Sequence, residues 1–414
     1  MKHNILHIIC HDLGRMLDCY QQAHIPSPNL DALAAEGMRF TRYFAASTPC
    51  SPSRGCIMTG QYAHSNGLIG LVNRGWDMPE SVATIVDYLN AAGYHTANIG
   101  LQHERRDPNH NHYDYTWQET SRAGIVADRV ADYLQDIPTP FYLNAAFFEV
   151  HLAFQQPEYT PAAIEEVIVP GYLPDTPQVR DELAWFYGAI RYMDEAIGRI
   201  LTALEESGRR DDTILLFTTD HGEAFPGAKS TLYDPGIGTA LIMRFPERYQ
   251  GVSGALLSNI DLVPTLLEAV GETVPEEVQG RSFLGLVRGE AYEPRECVFS
   301  EKNFHDHFDP VRAVRTPRYK YIRSYTDQPR LIFPIDIERS QASETLVPGA
   351  KAPRGREELY DLEADPWERN NLAGSTEHRH ILEGLAQRLD TWMNETNDPL
   401  LETIDLPYPP EQYS

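Results

Sequence analysis

The residues with the clearest chemical promise are Thr48-Pro49-Cys50-Ser51-Pro52-Ser53-Arg54-Gly55, which set one thiol in a proline-punctuated turn with an arginine four positions later. The prolines restrict φ around Cys50, and the run from Gly55 to Gly60 looks like the first turns of a helix, so the thiol is expected near a helix N-terminus. Anions are favoured there, and the planar guanidinium of Arg54 suits a tetrahedral oxyanion such as sulfate or phosphate. The plain alternative is a surface turn with an ordinary cysteine. Two polar pairs also end apolar runs: His11-Asp12 follows Asn4 to Cys10, and Asp220-His221 follows Asp212 to Thr219. Each run reads as a buried parallel strand, and open α/β sheets bind ligands beyond the carboxyl ends of their strands. Two such pairs, distant in sequence, are what a divalent-cation site on one sheet edge needs, although His11-Asp12 alone could simply cap the following loop.

The elements that must position these groups follow from the periodicity. Ser27 to Gly37 is expected to be a helix with an N-terminal proline and a glycine stop, and Ser81 to Leu89 is amphipathic. Gly93 to Gly100 reads as a strand that ends in Leu101-Gln102-His103, and Pro140 to Phe148 as a strand followed by Glu149-Val150-His151. A pattern of period 3.6 from Gln178 to about Ser207 describes a long core-facing helix, stopped by Gly208. Lys229 stands in the Gly/Pro loop from Phe225 to Gly236, where a lone lysine is usually solvated. The charged, Gly-containing stretch from Gly285 to Pro294 marks a boundary, giving an expected catalytic α/β domain over 1–290 and a smaller α+β unit over 291–414. In that unit the loop from Asn303 to Arg312 is rich in groups that could bind a sugar, with His305, His307 and Arg312 as candidates. A second metal site is the other use of its histidines.

Composition sets the outer limits. A chain of 414 residues, 42% hydrophobic and 10% aromatic, can bury a large core. Its 35 basic and 60 acidic residues leave a formal charge of -25, which argues against nucleic acid or an anionic membrane as partner. A protein this acidic that handles an anion must gather positive charge, metal included, inside its pocket. The five cysteines (Cys10, Cys19, Cys50, Cys56 and Cys297) show no paired spacing, so neither a disulfide framework nor a zinc-thiolate site is expected. With no apolar leader and no span of about 20 apolar residues, a cytoplasmic location is expected, or a periplasmic one if a leader has been removed.

Cys-Ser-Pro-Ser-Arg followed by a helix ending in Thr-Gly resembles the signature of the type I sulfatases of the alkaline phosphatase superfamily. The likeness runs along nearly the whole chain, through the Pro28-Asn29-Leu30-Asp31 helix, the Lys229-Ser230-Thr231-Leu232-Tyr233 loop and the Glu358-Leu359-Tyr360-Asp361-Leu362 run. It implies a large mixed, mostly parallel sheet sandwiched by helices, with a small C-terminal antiparallel sheet plus helix. It also implies that a maturase oxidises Cys50 to Cα-formylglycine, whose hydrate is the nucleophile. By the same likeness Arg54 holds that hydrate, His103 takes a proton as the aldehyde reforms, and Lys229 with His151 serves the leaving oxygen. Asp12, Asp220, His221 and His11 would bind a divalent cation, calcium being usual and magnesium, manganese or zinc the alternatives.

Two positions depart from the family pattern. His11 stands where a second aspartate is usual, and Leu101 where a lysine is usual. The segments around Phe225 to Gly236 and His305 to Arg312 look closer to the heparan N-sulfatase branch, which implies a sulfated saccharide and either a sulfate ester or a sulfamate as the scissile group. Hydrolysis of phosphonate or phosphate esters, and silent binding of a sulfated glycan, are the rival functions. Rates on matched esters separate the first, and metal-dependent turnover excludes the second. Oligomeric state is left open.

Overall fold

The computed structural model describes residues 2–22, 25–345 and 349–409. Its centre is the strand Asn4–Cys10, buried along its whole length. Leu6, Ile8 and Cys10 face one core and Ile5 and Ile9 the other, which is why the run, apart from Asn4 and His7, is apolar without alternation. Parallel neighbours flank it on both sides: Phe141–Ala146 on one and Thr213–Thr219 on the other. The eight-stranded sheet runs Gly251–Ser253, Met38–Phe40, Leu241–Arg244, Thr213–Thr219, Asn4–Cys10, Phe141–Ala146, His95–Gly100, Tyr115–Trp117. Only Leu241–Arg244 pairs antiparallel with its neighbours, so the sheet is mixed and mostly parallel.

Helices cover both faces. The 30-residue helix Pro177–Glu206 and the helix Ala123–Asp136 supply much of one core. Residues of Cys50–Thr59, Ile85–Ala91 and Leu262–Ala269 supply much of the other. A four-stranded antiparallel sheet, Val298–Phe304, Phe308–Arg315, Tyr319–Ser324 and Glu357–Asp361, packs with the helix Arg379–Glu395.

What positions the site is the common level of the strand ends. Cys10 pairs with Thr219, and Ile9 and Gly100 both pair with Ala146. The residues that follow these strands therefore emerge along one edge. The nucleophile candidate comes from elsewhere: the helix Cys50–Thr59 begins at Cys50 itself, one turn earlier than the sequence suggests. Gly60 ends it with φ 68, a left-handed conformation that glycine adopts freely, its N–H donating to Cys56 O.

The connection between Tyr319–Ser324 and Glu357–Asp361 is a long excursion from the small sheet, and its described residues reach the core of the large sheet. Its short helices Ile335–Glu338 and Gln341–Glu344 seat Ile337 and Ala342 in the same core as the helix Pro177–Glu206. Ala342 N donates to Glu182 Oε2 at 2.8 Å, and Ile335 N donates to Asp306 Oδ2 at 2.9 Å.

One site expectation fails at the level of the fold. Arg312 does not lie in a sugar-binding loop, because residues 308–315 form a strand in which Arg312 faces Glu301 on the neighbouring strand. It is fully buried, bonds both Asp398 carboxylate oxygens, and its Nη2 stands 3.5 Å from Glu301 Oε2. A guanidinium so enclosed holds the small sheet to the C-terminal segment. His307 is exposed at the tip of the same hairpin and makes no hydrogen bond or ion pair with the strand-end cluster among the described residues.

Candidate active site

At the shared edge, ligand atoms of His11, Asp12, Cys50, Asp220 and His221 all lie within 4.8 Å of one another, and all five residues are buried. His11 Nδ1 stands 3.0 Å from Asp12 Oδ1 and 3.1 Å from Asp220 Oδ2. His221 Nε2 stands 3.1 Å from Asp12 Oδ1 and 3.2 Å from Cys50 Sγ. The other nitrogen of His221, Nδ1, is 3.0 Å from Gly222 O, a contact that fixes the ring with Nε2 turned inward. Gly222 is required here, because a Cβ would come within 1.8 Å of Pro235 O. Asp12 has φ 52, an uncommon conformation for a side chain other than glycine, held by its N–H bond to Asp220 Oδ1 at 3.0 Å.

Positive charge is packed against this cluster. Arg54 Nε donates to Asp220 Oδ2 at 3.2 Å and its Nη2 to Cys10 O at 3.2 Å. Lys229 Nζ is 2.6 Å from Asp12 Oδ2, 2.6 Å from Asp336 Oδ2 and 3.1 Å from His151 Nε2, so all three ammonium protons are engaged. Burial alone would raise Asp12, but Lys229, His151, His11 and His221 together hold it well below the usual carboxylate range. Burial alone would lower Lys229, yet Asp12 and Asp336 keep it well above the ordinary lysine value. His151 is pushed down to about 4 by burial and then by Lys229, and is neutral at pH 7. Its Nδ1 bonds Leu152 O at 2.6 Å, leaving Nε2 to accept from Lys229.

His103 sits at the rim of the same group, its ring 6.1 Å from that of His11. Burial, then the charges of His11 and Arg54, lowers its pKa well below normal, and its buried Nδ1 has no hydrogen-bond partner. The cluster thus gathers His11, Asp12, Cys50, Arg54, His103, His151, Asp220, His221 and Lys229. His305 borders it, near enough to feel the charges of Lys229 and Asp336, with Nδ1 on Asp306 at 2.8 Å. Leu101 packs into the second core beneath the site.

Two members had no sequence signature. Asp336 arrives from the C-terminal excursion, and Glu104 is buried beside Arg54, accepting from His103 N at 2.9 Å. The excursion's preceding Pro334 could have marked a helix start, but nothing in the local pattern connects it to Lys229.

The donor set suits a divalent cation. Two carboxylates and two imidazoles converge within the span of one coordination sphere, about 4–5 Å between opposed ligands. Residues 3–272 match the sequence model of the family described as Sulfatase. The chain belongs to the sulfatase family. Residues 222–338 of this sulfatase also match a model described as N-sulphoglucosamine sulphohydrolase, C-terminal. Human N-sulphoglucosamine sulphohydrolase is 29% identical over 460 residues, covering 96% of this chain and 91% of the relative. An ulvan-active sulfatase of Formosa agariphila is 27% identical over 464 residues, covering 95% of this chain and 75% of the relative. Among solved structures, a protein in complex with its substrate D-glucosamine-2-N,6-O-disulfate superposes with TM-score 0.76 at 20% identity, covering 98% of this chain and 100% of that one. A 2-O GAG sulfatase superposes with TM-score 0.76 at 21% identity, covering 97% and 94%. The sulfatase family is the one the motifs resemble, and the likeness of residues 222–338 to the N-sulphoglucosamine sulphohydrolase model falls in the same segment that the sequence compares with the heparan N-sulfatase branch. No helix among the described residues is long and apolar enough to cross a membrane.

Proposed function

We propose that this sulfatase removes sulfate from a saccharide, with the sulfamate of an N-sulfated glucosamine as the favoured group. The observation that carries the proposal is Cys50 Sγ at 3.2 Å from His221 Nε2, inside a buried cluster of carboxylate, imidazole, guanidinium and ammonium groups. The matching of residues 222–338 to an N-sulphoglucosamine sulphohydrolase model favours the sulfamate.

In this proposal Cys50 is converted by a maturase to Cα-formylglycine, which supplies a hydroxyl nucleophile that is regenerated each cycle. A divalent cation held by Asp12, Asp220, His11 and His221 would supply charge neutralisation for the sulfuryl oxygens. The resemblance implies calcium, and the two imidazoles suit manganese or zinc at least as well. Arg54 and Lys229 bring fixed positive charge to where the anion must lie. Lys229 holds its proton firmly, and the departing sugar atom, a stronger base than an amine once its bond to sulfur breaks, draws that proton from Lys229 or through His151. His103, neutral and with an unpartnered Nδ1, can take a proton from residue 50.

The test is sulfate release from a panel of defined sulfated monosaccharides, with a phosphonate monoester alongside. Release from N-sulfoglucosamine that stops with a chelator is the expected outcome. Faster cleavage of the phosphonate than of every sulfated sugar would overturn it.

A further inference from the structure

The cluster has a direction. Cys50, Asp12, Asp220 and His221 are buried to 3% or less, whereas the side chains of His151 and Asp336 are 21% and 22% exposed. Solvent therefore reaches the Lys229 side of the cluster past His151 and Asp336, and a sulfuryl group seated against Cys50 from this side has its sugar trailing. The atom bridging sulfur to sugar then lies at the level where Lys229, His151 and Asp336 meet.

At that level the hydrogen-bonding inventory is lopsided. Lys229 is a donor, and His151 Nε2 already receives one of its protons. Asp12 Oδ2 faces the same ammonium but from the fully buried side. An acceptor with a lone pair to spare on the partly exposed side is Asp336 Oδ2, which takes a Lys229 proton at 2.6 Å and stands 3.5 Å from His151 Nε2, while Asp336 Oδ1 accepts from Ile337 N at 2.9 Å. Its position is fixed from two sides, by Ile335 N on Asp306 and by Ala342 N on Glu182. Asp306 is itself held by Arg74 at 2.6 Å.

A bridging oxygen offers only lone pairs to such a carboxylate, so the contact is repulsive. A bridging N–H donates a charge-assisted hydrogen bond to it. We propose that Asp336 is a specificity residue that reads the N–H of a sulfamate and rejects the corresponding sulfate ester. This rests on the saccharide-sulfatase function proposed above and deepens it. A site built to accept from a substrate N–H discriminates strongly against the analogue that lacks it.

Two sugars that differ in one atom test the inference: glucosamine 2-N-sulfate and glucose 2-O-sulfate, each assayed by sulfate release from the matured full chain. The ratio of kcat/KM, N-sulfate over O-sulfate, is expected to be about 100 or more for the wild type. In Asp336→Asn, whose amide can donate to an ether oxygen, that ratio should fall at least about 30-fold, and Asp336→Glu should restore part of it. An unchanged ratio in Asp336→Asn, or equal losses on both sugars, overturns the role of Asp336 alone. A wild type that cleaves neither sugar, yet releases sulfate from another ester, overturns the sulfamate function and Asp336's role with it.

Discussion

His221 Nε2 lies 3.2 Å from Cys50 Sγ although 171 positions separate the two residues. One belongs to the end of a central strand and the other to the first turn of a helix on the sheet's face, so their meeting depends on the whole α/β layer being assembled. Burial pushes the Cys50 thiol well above its ordinary pKa, with Asp12 and Asp220 opposing ionisation and Lys229 only partly compensating. An unmodified thiol there is a poor nucleophile, which is consistent with a need for its conversion. Cys50→Ala should therefore lower sulfate release by more than about 1,000-fold with little change in the melting temperature. Mass spectrometry of the peptide containing residue 50 should show a loss of about 18 Da from thiol to aldehyde in a maturase-competent host.

Lys229 is the sole cation bonded to both Asp12 and Asp336 among the described residues. Lys229→Met leaves two carboxylates facing each other without it, which should cost about 3–5 kcal/mol in urea denaturation and abolish turnover. Adding Asp336→Asn to that variant should recover at least about 1 kcal/mol. Strictly additive effects would mean that the two side chains do not interact in solution.

Chelation should lower the melting temperature of the wild type, because an ion held at about 1,000 times its dissociation constant adds about 4 kcal/mol. Asp220→Asn should remove most of that response. With His11 and His221 among the donors, manganese or zinc should restore more stability to the chelated protein than calcium does. Equal restoration by calcium would place the imidazoles outside the coordination sphere.

For Arg312, which is enclosed by Asp398 and Glu301, the expected signature is stability without specificity. Arg312→Met should destabilise by about 3–5 kcal/mol while KM for a sulfated sugar stays within twofold. A large rise in KM at unchanged stability would return this residue to the substrate site.

Glu182 gives a pH dependence. Burial raises its pKa from 4.5 to about 7, against hydrogen bonds from Ala342 and its neighbours. The folded chain thus keeps a proton that the unfolded chain has released, so this contribution is full below about pH 4.5 and is lost as pH rises through about 7. Glu182→Gln should match the wild type at pH 4.5 and exceed it by about 1–3 kcal/mol at pH 8, as read from melting curves.

The sequence made the strand ends legible because a buried parallel strand has no room for charge until it stops. The abrupt change from Ile8-Ile9-Cys10 to His11-Asp12, and from Phe217-Thr218-Thr219 to Asp220-His221, marks the edge of the sheet without any knowledge of its neighbours. Lys229, His103 and His151 were reached only through likeness to relatives, since a lone lysine or histidine in a loop has no periodicity to betray it. Arg312 differs from the sugar-binding expectation because the polar run from Asn303 to Arg312 reads as a loop, whereas its second half is a buried strand. In the strand Phe308–Arg315 the charge of Arg312 is met by Glu301 directly across the neighbouring strand and by Asp398, and all three are hidden. Asp336 was invisible for the opposite reason: a single carboxylate in an irregular connection gains its meaning from a lysine 107 positions away.

The excursion that carries Asp336 leaves and rejoins the small sheet while its short helices rest in the core of the large one. Exchange of parts between relatives therefore cannot respect the apparent seam between the two sheets. A hybrid that took its Cys50 segment from one parent and its terminal sheet from another would inherit its taste for nitrogen or oxygen from the second, with the strand-end residues around Cys50 unaltered.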